Sequence, residues 1–136
     1  MGQRPLTVLD TQVWVWWTND PDLIPPQLRG YLEVNEKHGL GVSVISCLEV
    51  ARLAVAGRLV LPVAVEEWVT TALGYPHVAL LDLTPAIAVA STRLPEPFHR
   101  DPADRIVVAT AMALDASLAT TDGKIRAYPH VRTVSY

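Results

Sequence analysis

Cysteine is almost absent: Cys47 is the only one in 136 residues. A lone thiol forms no intrachain disulfide and rules out thiolate clusters for zinc. A reducing, cytoplasmic setting fits. No apolar run reaches the roughly 18 residues of a membrane-spanning helix, so no membrane is expected. The N-terminal "MGQRPLTVLD" lacks an apolar h-region and cleavage site, so no secretory signal is visible. Leu6 stands where an N-myristoylation motif wants Ser or Thr. Repeats, low-complexity tracts and linkers are missing too. Lysine is scarce, since nine of the eleven basic residues are arginine, which favours bidentate contacts to phosphate or carboxylate. The formal charge of −3 supplies no general attraction for nucleic acid, although a few acids gathered at one site would mask a more basic surface.

Half of the residues are hydrophobic and 18% are charged. Such a chain buries a substantial core, and one compact domain over residues 1–136 is expected. Short β-branched runs alternate with longer helical patterns. Strands are expected at Leu6–Asp10, Gly41–Ser46, His77–Leu83, Ser117–Thr121 and Val131–Ser135. Helices are expected from Thr11 to about Thr18 and over Pro25–Gly39, Cys47–Arg58, Pro62–Gly74, Pro85–Leu94 and Pro102–Ala116. Prolines open several of these helices and glycines close them. Five strands separated by helices imply a mainly parallel sheet covered on both faces. In such sheets, ligands bind beyond the carboxyl ends of the strands.

Four carboxylates fall at that edge. Asp10 ends the first strand, and Asp122 follows "SLATT". Glu49 lies one turn into the helix after the second strand, and Asp104 one turn into the "DPADR" helix. Each has an ordinary structural explanation. Ser46-x-x-Glu49 reads as a capping box. Asp101 is an N-cap ahead of Pro102, Asp104 favours the helix dipole, and Asp122-Gly123 suits a turn. Taken together the four resist that explanation. Asp104 shares a helical stripe with Val107, Val108 and Ala111, where an unpaired charge is costly. Asp10 ends a strand expected to be central, with no lysine near it in sequence. Clustered carboxylates repel and hold protons at neutral pH. A divalent cation relieves this, and hard oxygen donors select Mg²⁺ or Mn²⁺.

In order, "VLDT", "SCLEVARL", "DPADRIVVATA" and "LATTD" resemble the PIN-domain nucleases, most closely the VapC-type toxins of bacterial toxin–antitoxin pairs. The likeness runs through the whole chain, and "DPADRIVVATA" is its most specific part. Carried over residue by residue, the family's acidic quartet falls on Asp10, Glu49, Asp104 and Asp122, and each position holds the expected acid. Thr11 and Thr121 match hydroxyl positions that flank the site. The resemblance implies a three-layer α/β/α PIN-like fold, a Mg²⁺-dependent endoribonuclease, a homodimer, and a small antitoxin protein that blocks the site. It places one or two metal ions on Asp10, Asp104 and Asp122. Glu49 then completes the shell or orients the attacking water; both roles stay open. With the four acids set aside the charge balance moves from −3 to +1, which permits an RNA substrate without predicting one. Local arginines (Arg93, Arg100, Arg105) would have to steer it, and no RNP-type aromatic motif supports base stacking. Arg105 pairs with a site carboxylate, contacts a phosphate, or forms a surface ion pair.

In "WVWW" (Trp14–Trp17) at least one ring is expected in the core, with a docking groove for an antitoxin helix as the other reading. Trp68 reads as helix packing, Cys47 as a small buried hydrophobe, and His99 as a solvated loop residue. The competing functions are weaker. A haloacid-dehalogenase phosphatase needs a second acid two residues after Asp10, and "DTQ" lacks it. A receiver domain wants a neighbouring acid pair. A Rossmann nucleotide site wants a glycine-rich loop after the first strand. The remaining alternative is a catalytically inactive PIN-fold module that binds RNA or protein.

Overall fold

The computed structural model describes residues 6–136, so most of the N-terminal stretch read for a secretory signal and for N-myristoylation lies outside the described residues. Strand β1 (Thr7–Leu9) is followed at once by helix α1 (Thr11–Asn19). Helix α2 (Pro26–Asn35) runs into a 3₁₀ turn and stops at Gly39, whose φ of +102° is a conformation that side chains avoid. Strand β2 (Leu40–Ser43) then leads into α3 (Val44–Val55) and α4 (Val65–Leu73). Strand β3 (Val78–Leu81), α5 (Pro85–Ser91), α6 (Pro102–Ala113), β4 (Ser117–Ala119) and the one-turn α7 (Gly123–Arg126) complete the order.

The strands form one parallel sheet in the order β3-β2-β1-β4. This corrects the five strands expected from the sequence. The predicted fifth, Val131–Ser135, contributes a single parallel bridge, Leu118 with Thr133. Leu118 N–H donates to the Arg132 carbonyl at 2.8 Å, and Val134 N–H to the Leu118 carbonyl at 3.0 Å. The next rung, from Thr120 N–H to the Val134 carbonyl, is not made, because β4 ends at Ala119.

Side chains alternate across a strand, and β1 shows the result. Leu9 packs with Val13, Trp14, Leu28 and Leu32 on one face, while Val8 packs with Val107, Val108 and Ile125 on the other. Helices therefore cover both faces, as expected for the α/β/α arrangement. Trp14 has no exposed surface, and its ring meets Trp68 edge-on at 4.9 Å. This removes Trp14 from any docking role. Trp16 and Trp17 are half-buried against the same core. Trp68 Nε1–H donates to Asn19 Oδ1 at 2.7 Å, tying α4 to the end of α1. Cys47 is half-buried beside this core, and burial pushes its thiol pKa up.

Helix α3 starts three residues before the expected position. Ser43, the last residue of β2, is its N-cap and accepts from Ile45 N–H at 3.2 Å. Ser46 lies inside the helix with no exposed surface, so the predicted Ser46–Glu49 capping box does not form. Two substitutions check this framework by urea unfolding. Ser43→Ala is expected to cost about 1 kcal/mol as a lost cap, and Trp14→Ala about 3–5 kcal/mol as an emptied core site. A Ser43→Ala protein as stable as the parent would argue for the later helix start.

A candidate acidic active site

All strands point the same way, so the residues after β1, β2 and β4 meet at one edge. Asp10 leaves β1 and turns the chain into α1. Its backbone N–H is held by the Ala119 carbonyl of β4 at 3.1 Å. Its carboxylate is the N-cap of α1: Oδ1 accepts from Val13 N–H at 2.9 Å. Oδ2 accepts from the Thr120 hydroxyl. That hydroxyl also accepts from the Asp122 N–H at 3.0 Å. Thr120 therefore links the turn after β4 to the carboxylate after β1. The sequence reading had chosen its neighbour Thr121, which lines the cleft.

Asp122 caps α7, accepting from Lys124 N–H at 2.8 Å and Ile125 N–H at 3.1 Å. Glu49 sits in the second turn of α3. Its Oε1 is hydrogen-bonded to Thr11 Oγ1 at 2.6 Å, and Thr11 is also bonded to Ser46 Oγ at 2.9 Å. Asp101 caps α6 as expected, accepting from Ala103 N–H and Asp104 N–H at 2.9 and 3.2 Å. Asp104 is thereby freed from capping, and it faces the cleft. Asp10, Glu49, Asp104 and Asp122 line one cleft of about 440 Å³. Asp82, another strand-end acid, is exposed and lies outside it.

The cleft is short of positive charge. Among the described residues no Lys or Arg lies within ion-pair distance of any of the four acids; Arg58 reaches only the lining. Burial pushes the Asp10 pKa up to about 6, against the hydrogen bonds from Thr120 and Val13, with Asp122 and Glu49 adding repulsion. Burial also pushes Asp104 up to about 7, reinforced by the charges of Asp101, Glu49, Asp122 and Asp10. The uncompensated buried carboxylates suit a hard divalent cation. Among the described residues, no three acidic, imidazole or thiol side chains form a ready-made cage.

Two neighbours differ from expectation. His99 is not a solvated loop residue. Its side chain is 21% exposed, and Nε2 lies 3.3 Å from Asp104 Oδ2. The approach is at ion-pair distance but lacks hydrogen-bond alignment, so Nε2 is buried without a hydrogen bond. No spacing rule links His99 to Asp104, because the contact depends on how the segment between α5 and α6 folds back. Arg105 neither pairs with a site acid nor reaches the cleft. Its side chain is 12% exposed, and its guanidinium braces that same segment. Nε donates to the Ser91 carbonyl at 2.8 Å, and Nη1 to the carbonyls of His99 at 3.2 Å and Phe98 at 3.4 Å. Glu96 completes its surroundings at 3.7 Å. The expected steering cluster of Arg93, Arg100 and Arg105 therefore loses one member.

Residues 7–131 match the PIN domain family. Ribonuclease VapC22 of Mycobacterium tuberculosis is 33% identical over 128 residues, spanning 94% of this chain and 95% of that protein. Among solved structures, VapBC2 from Rickettsia felis bound to a fragment of promoter DNA has a TM-score of 0.68 at 17% identity, covering 95% of this chain and 97% of that one. DNA-bound VapBC from Salmonella typhimurium has a TM-score of 0.65 at 18% identity, covering 96% and 97%. At such identities the structural likeness concerns the fold alone. The family match and the near full-length relative together establish that the chain belongs to the PIN-domain family and is a homologue of the VapC ribonucleases.

Proposed function

We propose that this protein is a Mg²⁺-dependent endoribonuclease, the toxin of a toxin–antitoxin pair, working in the cytoplasm as a homodimer. The observation that carries this reading is the pair of carboxylates, Asp10 buried and Asp104 half-buried, with pKa values raised to about 6 and 7 in a cleft that also holds Glu49 and Asp122 and, among the described residues, no paired Lys or Arg. Retaining such a cluster costs stability, and a divalent cation offsets that cost. The VapC22 relative is named a ribonuclease. The solved neighbours are VapBC complexes, which supports an antitoxin partner here as well.

Asp10, Asp104 and Asp122 would hold the metal, directly or through waters. Mg²⁺ bound there, or Mn²⁺ in its place, supplies an acidified water and offsets charge on the phosphate. The protein supplies orientation. Val13 N–H and the Thr120 hydroxyl lock the Asp10 carboxylate in one rotamer, and the α7 amides do the same for Asp122. Thr11 fixes Glu49 at Oε1. Its Oε2 is left to position a water or complete the ion's shell, the two roles open from the sequence. Asp101 takes over helix capping, so neither Asp104 oxygen is spent on the first amides of α6, and Oδ2 lies 3.3 Å from His99 Nε2.

The purified, antitoxin-free protein is expected to cut RNA at discrete positions with Mg²⁺ or Mn²⁺ and not with EDTA. Asp104→Asn, checked for folding, should lower the rate roughly 100-fold or more, the scale of losing one transition-state-stabilising group. Cleavage surviving in that variant would move the site elsewhere. No cleavage of any RNA, with no Mn²⁺ binding by calorimetry, would favour the inactive PIN-fold binding module.

The raised carboxylates also set a pH dependence for the metal-free protein. Between the ordinary carboxylate pKa of 3.8 and the folded values of about 6 and 7, the folded state binds more protons than the unfolded one. Stability must then fall as pH rises through that window and level off above it. In EDTA the Tm at pH 5 should exceed that at pH 7.5, and Asp104→Asn should flatten the slope. Mn²⁺ should raise Tm more at pH 7.5 than at pH 5, because its ligands must first lose their protons. A metal-free Tm that climbs over this range would contradict the reading of the cleft.

A further inference from the structure

Beside the acidic cleft lies a second one, of different chemistry. The segment between α5 and α6 is pinned from two sides. Arg105 holds the carbonyls of Ser91, Phe98 and His99, and the Tyr128 hydroxyl donates to the Pro95 carbonyl at 2.6 Å. The pinning brings together aromatic rings from distant parts of the chain. The Phe98 centroid is 4.5 Å from that of His99 and 4.5 Å from that of Tyr128, and Tyr128 lies 5.2 Å from His130. These four rings, with Lys124, line a cleft of about 410 Å³. Tyr128 is buried, Phe98 is half-buried, and His130 and Lys124 are exposed. Neither Lys124 nor His130 has a carboxylate partner among the described residues.

This cleft adjoins the acidic one at two points. His99 lines the aromatic cleft and touches Asp104. Lys124 lines it too, and its backbone N–H is bonded to Asp122. A strand with a phosphate among the carboxylates thus has an aromatic surface and a free ammonium next to it. Flat rings beside a cation are how proteins hold unpaired bases: the ring stacks and the cation contacts the backbone. A paired base in a duplex offers no face to such a cleft.

We propose that the aromatic cleft is a base subsite for single-stranded RNA. One base flanking the cut bond stacks there against Phe98 and His130, and Lys124 contacts the phosphate of that nucleotide. The subsite rests on the ribonuclease reading above and adds to it the place where a base beside the cut is held.

The test uses a single-stranded oligoribonucleotide that the full chain cleaves with Mg²⁺, and versions of it abasic at each nucleotide flanking the cut. His130→Ala and Lys124→Ala, both at exposed positions, serve as variants, because Phe98→Ala endangers the packing around Arg105. His130→Ala is expected to raise KM about 10-fold on intact RNA, the size of one stacking contact. On the RNA abasic at the stacked position it should change KM little, since the two losses remove the same contact. Lys124→Ala should raise KM and weaken its salt dependence. Mn²⁺ binding by calorimetry should match the parent in both variants. Parental KM in both variants, equal losses on intact and abasic RNA, or lost Mn²⁺ binding would each overturn the subsite while leaving the nuclease in place. A parent chain that cleaves no RNA would instead overturn the ribonuclease reading, and the subsite with it.

Discussion

Asp10 is a carboxylate buried at the end of the central strand, and the hydroxyl of Thr120 is what makes that position tolerable. The parallel pairing of β1 with β4 puts the two residues side by side just past the last rung, where Asp10 N–H meets the Ala119 carbonyl. Thr120 then bonds Asp10 with its proton and accepts from Asp122 with a lone pair. One hydroxyl thereby sets the distance between two acids on different loops. The other neighbour, β2, delivers Glu49 through α3, and Thr11 ties it to the start of α1. With any strand antiparallel, its acid would lie at the opposite edge of the sheet. The site is thus a consequence of strand direction before it is a matter of side-chain packing.

The fourth acid arrives differently. Asp104 belongs to α6, whose apolar stripe (Val107, Val108, Ala111) is buried against the sheet. Asp101 takes the capping duty at the N-terminus of α6. Asp104 can then point into the cleft without leaving the first amides unsatisfied. The proximity of Asp101 has an electrostatic cost, because after burial its charge is the largest contributor holding Asp104 near pH 7. The capping acid and the cleft acid are thus separated by one helical turn, yet they remain coupled through charge.

Much of this was legible in the sequence because it follows local rules. Strand, helix and cap signals placed Asp10, Asp104 and Asp122 at the sheet edge, and the central elements match within a few residues. The departures share a cause: each depends on a partner far along the chain. Ser43 and Ser46 are both plausible caps, and only the length of the β2 ladder decides between them. The fifth strand has a strand-like composition, but β4 ends one residue past the Leu118–Thr133 bridge, so there is no ladder for it to extend. Thr120 and Thr121 differ by one residue just past the end of β4, and only the Thr120 hydroxyl meets Asp10. Arg105 sits beside a site acid in sequence, yet a helix turns consecutive residues about 100° apart, and its guanidinium serves the neighbouring loop.

That use of Arg105 explains why a loop rich in proline holds a defined shape. A guanidinium offers five donors in a rigid fork, and here it satisfies carbonyls from Ser91, Phe98 and His99 that would otherwise be buried without partners. The Phe98 ring lies 6.0 Å from the same guanidinium, and it also packs on Tyr128. His99 is carried with the loop to the edge of the carboxylate cleft. The chain has few lysines and a net negative charge, so it cannot attract RNA by a broad basic face. On the ribonuclease reading, affinity for a strand would come from short-range contacts next to the acids, and the braced loop offers a surface for them. On the same reading the two clefts separate two tasks: the carboxylates would depend on metal, while the rings would depend only on an unpaired base.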